Sequence, residues 1–107
     1  MIVRIWQGWT SHDDADEYER LLTLEIIPSI EAKGISGLKE VEVFRRETDI
    51  ETEFMTKYVF TGIEALKAMA GEELEKAYVP LNARKLLKRF EATARHFEKR
   101  FLGVYTG

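Results

Sequence analysis

The 107-residue chain contains no cysteine, which excludes disulfides, thiolate-bound metals and clusters, and a thiol nucleophile. It has two histidines; His12 and His96 stand too far apart, without a carboxylate at a suitable spacing, to form a metal signature. No apolar run approaches the roughly 20 residues of a spanning helix, and residues 1–6 alternate instead of forming a signal-peptide core. No membrane partner and a cytoplasmic location are therefore expected. Basic excess is missing as well: 16 Lys and Arg face 19 Asp and Glu, a net charge of −3, so nucleic acid is not an expected partner. Phosphate-binding Gly loops, nucleophile elbows, paired carboxylates and dinucleotide fingerprints are all absent, which leaves hydrolase, kinase and nicotinamide readings without residues. What is present, 45% apolar and 33% charged, is the composition of one globular domain over residues 1–107.

Residues 2–9 are β-branched and aromatic with no breaker before Gly8, which predicts a first strand. Ser11 with Asp14 three places on resembles a capping box, and Asp13 and Asp14 suit the positive end of a helix dipole. From there Tyr18, Leu22, Ile26 and Ile30 recur every fourth residue, predicting a helix to about Lys33 that Pro28 kinks in its last turns and Gly34 ends. Residues 38–46 and 54–60 read as an antiparallel hairpin joined by the polar stretch 47–53. A short helix is expected over 63–70, stopped by Gly71. A further helical turn is expected over 74–79 after Glu72 and Glu73, then another helix over 81–88 behind Pro80. Residues 90–101 are read as a last strand. The order strand, helix, strand, strand, helices, strand is the ferredoxin-like βαββαβ arrangement, an α+β fold whose four-stranded antiparallel sheet carries its helices on one face.

That architecture leaves a surface uncovered. The first strand carries Val3, Ile5 and Trp9 on one side and Ile2 and Trp6 on the other, and the third is apolar on both sides too. Helices cover only one face, so a homodimer through the other is expected.

The stretches 4–11, 60–73, Val79-Pro80, Ala83-Arg84, Leu86-Leu87 and 96–98 resemble the antibiotic biosynthesis monooxygenase-like family of the dimeric α+β barrel superfamily. The resemblance spans most of the chain. It implies a pocket between sheet and helices in each subunit, and a pair of subunits closing their sheets into a barrel. Haem-degrading relatives combine an Asn, a Trp and an iron-ligating His at positions that roughly match Gln7, Phe60 and Tyr78. Without the histidine, haem is not expected. The cofactor-free relatives oxidise an electron-rich phenol that, once deprotonated, itself reduces oxygen, and this fits a chain without a cofactor motif. No cofactor and no metal are expected.

The candidate catalytic residues are His96, whose intrinsic pKa suits a general base, and Tyr78, both as proton-transfer groups. Gln7, Trp9, Tyr58 and Phe60 are the candidate substrate-binding set, the aromatics stacking on a planar ligand and Gln7 orienting its oxygens. Each has a plainer role open to it: His96 as a structural or surface histidine, the aromatics as core. The function expected from the resemblance is a small cofactor-independent monooxygenase acting on an aromatic or polycyclic phenol. The alternatives are a non-catalytic binding or sensing protein of the same fold, and a subunit whose interior is filled.

Overall fold

A computed structural model describes all residues, 1–107. Strand β1 (Ile2–Thr10) lies at the centre of an antiparallel sheet, paired on one side with β3 (Thr52–Phe60). β3 in turn pairs with β2 (Leu38–Glu47). The other edge of β1 holds two short strands end to end, β4 (Leu87–Phe90) and β5 (Arg95–Glu98). With β4 and β5 together filling the last place, the order β2-β3-β1-β4 is that of a ferredoxin-like α+β fold.

The opening helix is a continuous rod in three parts: α1 (Ala15–Leu21), a π-helical turn (Leu22–Ile26) and α2 (Ile27–Glu31). Ser11 accepts a hydrogen bond from the Asp14 amide at 3.2 Å, which closes the turn before the helix, while Asp14 at the N-cap makes no side-chain cap of its own. His12 lies in this exposed turn, its ring nitrogen 2.7 Å from the Thr48 carbonyl. Pro28 disturbs the rod one turn earlier than its position suggests. Its ring would strike the carbonyl four residues back and it donates nothing there. The upstream turn widens, with the Ile27 amide bonding to the Leu22 carbonyl five residues away.

The hairpin β2–β3 and the short helix α3 (Ile63–Ala70), ended by Gly71 at φ 79°, follow the sequence pattern. Three other segments differ from it. Residues 74–79 form no helix: Leu74 and Glu75 make a single turn closed by the Lys76 amide on the Glu73 carbonyl, and 76–79 run irregularly, bridged at Lys76–Thr93, so Tyr78 sits on no helix. Helix α4 (Leu81–Leu86) stops at Leu86 because the chain turns extended at Leu87 to join β1. The last strand is shorter than 90–101 and broken. At the break the Gln7 carbonyl accepts from the Glu91 amide, while the Glu91 carboxylate accepts from the Gln7 amide at 2.9 Å and the Glu91 carbonyl from Trp6 Nε1 at 2.7 Å. The irregular stretch fills the break: the Ala77 amide donates to Ala92 and the Ala94 amide to Glu75.

Even-numbered residues of β1 and β3 face the helices, where two apolar clusters form. Ala15, Tyr18, Leu21, Leu22 and Phe54 gather at one end with Val79, Ala83 and Leu87; Tyr58, Phe60, Ala65 and Leu66 gather at the other. Phe54 and Phe60 are fully buried, each worth about 1.5–3 kcal/mol of transfer free energy. Tyr18 meets Phe54 edge-on at 4.9 Å between ring centroids.

Candidate functional site

The two clusters leave a cavity of about 350 Å³ between them, a size that holds small-molecule ligands. Its floor is the sheet: Arg4 and Trp6 from β1, with their register partners Tyr58 and Thr56 from β3. Its roof is the helical rod, which contributes Tyr18, Leu22, Ile26 and Ile30, the same one-in-four stripe visible in the sequence. Met69 and Ala70 close one side, and residues 76–80 with Ala83 close the other. Ser29, Lys33, Lys76 and Tyr78 are the exposed lining residues and mark its mouth. The interior is not filled.

Arg4 is the dominant polar group. Only 6% exposed, its guanidinium donates to the carbonyls of Leu74 and Lys76 and, at 2.8 Å, reaches His96 Nε2. Arginine has no lone pair to offer, so His96 Nε2 is the acceptor and the ring is neutral with its proton on Nδ1. Burial and the neighbouring Arg4 charge both hold the His96 pKa below its usual value, against a weaker opposing pull from Glu75. Burial also lowers the Arg4 pKa, though a guanidinium stays charged.

Tyr58 and Tyr18 supply two phenols. Burial raises both pKa values, so both are neutral donors at physiological pH. Neither hydroxyl is held by a protein partner, and no fully buried side-chain polar atom lacks one, so both hydroxyls reach the open space of the cavity.

The residues singled out from sequence are scattered over the fold. Tyr58 is in the floor. Phe60 shares its sheet face but is sealed into the cluster with Ala65 and Leu66. Gln7 and Trp9 point to the opposite face of the sheet, as alternation from Arg4 and Trp6 requires; there Gln7 Oε1 accepts from Arg95 at 3.0 Å and Arg89 lies over the Trp9 ring at 4.3 Å. Tyr78 is 86% exposed at the mouth. His96 does not line the cavity; it stands behind Arg4 with Nε2 engaged. The sequence pattern does not mark Arg4, Trp6, Tyr18 or Thr56 as site residues, although Arg4 and Trp6 share a parity that places them together. No group of His, Asp and Glu in the structure could hold a metal ion.

No family model and no curated protein matches the chain. Among solved structures, that of Rv0793 from Mycobacterium tuberculosis is similar in fold: 97% of this chain and 100% of that one are covered, with a TM-score of 0.57 and 16% identity. At that identity the likeness establishes the α+β architecture and nothing of the chemistry.

Proposed function

We propose that the chain binds a flat, largely apolar aromatic phenol between sheet and helical rod and, as a member of the antibiotic biosynthesis monooxygenase-like family, oxidises it without a cofactor. The observation that carries the reading is the cavity itself, walled by Trp6, Tyr18, Tyr58 and aliphatic side chains, with two unpaired phenol hydroxyls facing inward. Those hydroxyls donate to the substrate oxygen and favour its ionised form. The ionised ring then reduces dioxygen: one oxygen atom becomes a quinone carbonyl, the other leaves as water, and the ring loses two hydrogens. Tyr78 at the mouth exchanges the phenolic proton with solvent, and His96 acts through Arg4.

Anthrone, monitored with an oxygen electrode, tests this. Oxygen uptake above the blank, one molecule per anthraquinone formed, is expected, falling about tenfold or more in Tyr58→Phe. No uptake above the blank at any of several pH values overturns the catalytic reading. One observation favours the non-catalytic alternative: the Nε2 lone pair of His96 is occupied by Arg4, so no histidine nitrogen on that edge is free to remove a substrate proton. A ligand that co-purifies unchanged, with binding unaffected by His96→Ala, supports that alternative.

The proposal extends to the assembly. On the sheet face away from the helices Val3 and Val59 are buried within the chain, whereas Ile5, Trp9 and Met55 are half-buried and Phe44 and Phe97 about half exposed. A second copy of the chain, meeting this face with its own, would bury them.

A further inference from the structure

The cavity has a charge pattern unlike that of the chain around it. Nineteen acidic residues outnumber sixteen basic ones in the sequence, yet Arg4, Lys33 and Lys76 line the cavity and no carboxylate does. Lys76 has an exposed partner in Glu73 at 3.6 Å. Arg4 has no carboxylate partner, although it is the most buried charge in the lining, and an unneutralised buried cation is costly.

Pairing accounts for only part of its fork. Three of the five guanidinium N–H groups are used, two on Nη1 toward Leu74 and His96 and one on Nη2 toward Lys76. The Nε–H and the second Nη2–H remain. Two N–H groups of a guanidinium can grip a carboxylate with parallel hydrogen bonds. His96 helps to hold the guanidinium in place through Nη1 and brings no competing negative charge.

We infer that the ligand is an aromatic acid: its ring lies against Trp6 and the two tyrosines, and its carboxylate takes the unused N–H groups of Arg4, with Lys33 and Lys76 drawing the anion in at the mouth. This rests on the binding reading above but not on oxidation, since it concerns which molecule is held and not what becomes of it.

Calorimetric titration of the full chain with 2-naphthoate and with the neutral 2-naphthalenemethanol separates the possibilities. At neutral pH the acid binds at least about tenfold more tightly, as expected for a charge-assisted bidentate pair, and added salt narrows the gap. In Arg4→Gln the ratio of the two affinities falls to within about threefold, whatever loss the two compounds share. Should Arg4→Gln fail to fold by circular dichroism, Lys33→Glu on the exposed end of the rod serves instead, weakening the acid alone by about threefold. Equal affinities in the wild type, or a preference that survives in a folded Arg4→Gln, overturn the inference and leave the cavity reading standing. If neither compound binds, both fall.

Discussion

At Arg4 and His96 a strand pairing places two residues opposite each other, and their side chains fix each other's protonation. A neutral His96 can accept from Arg4; a protonated one cannot, and two cations would then sit in contact. The folded state thus holds the His96 pKa below the unfolded value, so the unfolded chain binds the extra proton first. Stability from this contact is complete above the unfolded pKa of about 6.5 and is lost as pH falls below it. Urea unfolding from neutral pH down into the acid range is expected to show a falling midpoint, and His96→Gln, which cannot take the proton, flattens that fall. The pair was not legible in the sequence. An arginine in an apolar strand reads as solvent-facing, and aromatics at both Trp6 and Trp9 left each parity of β1 equally apolar. The strand itself is plain in the sequence; which of its faces meets the helices is not, so the pattern puts Gln7 and Trp9 in a pocket that holds Arg4 and Trp6.

Elements were legible where one periodicity acted alone. The rod from Ala15, the hairpin β2–β3 and α3 each repeat one pattern, and the stripe Tyr18–Leu22–Ile26–Ile30 became the roof of the cavity. Residues 74–79 are illegible because Glu75 and Ala77 bond to a break in a distant strand, a tertiary arrangement that overrides local helix preference. Between α2 and β2 the turn shows what glycine does here. Gly34 has φ 62° and open space around it, so Gly34→Ala is expected to cost about 1–2 kcal/mol of left-handed strain. Gly37, at φ 94°, would also drive a methyl group to 2.5 Å from Thr61 Oγ1 and 2.8 Å from Ala65 Cβ. Gly37→Ala is therefore expected to cost about 2–5 kcal/mol, overpacking added to strain, as measured by denaturant unfolding.

For the molecule as a whole, the order of elements was enough to predict a ferredoxin-like α+β sheet, and the strand order agrees. No helix is long and apolar enough to cross a membrane. The outer face of the sheet has most of its charges paired among themselves: Lys57 with Glu42 at 3.1 Å, Arg46 with Glu53 at 3.0 Å, Lys99 with Glu40 at 3.7 Å. Neutralised in this way, the face can be covered without stranding ions, while Phe44 and Phe97 remain about half exposed at its two sides. Sedimentation at micromolar concentration is expected to show a dimer, and Phe44→Glu with Phe97→Glu a folded monomer; a monomeric wild type would remove the proposed pairing.

The segment 74–77, whose Lys76 and Ala77 wall the cavity, hangs from the sheet by four hydrogen bonds, two from Arg4 and two to the gap between β4 and β5. The strands' own ladders run past it. Changes in that wall can therefore alter which guests the chamber admits while the ladders stay intact, so selectivity and foldedness can evolve on separate stretches of one short polypeptide.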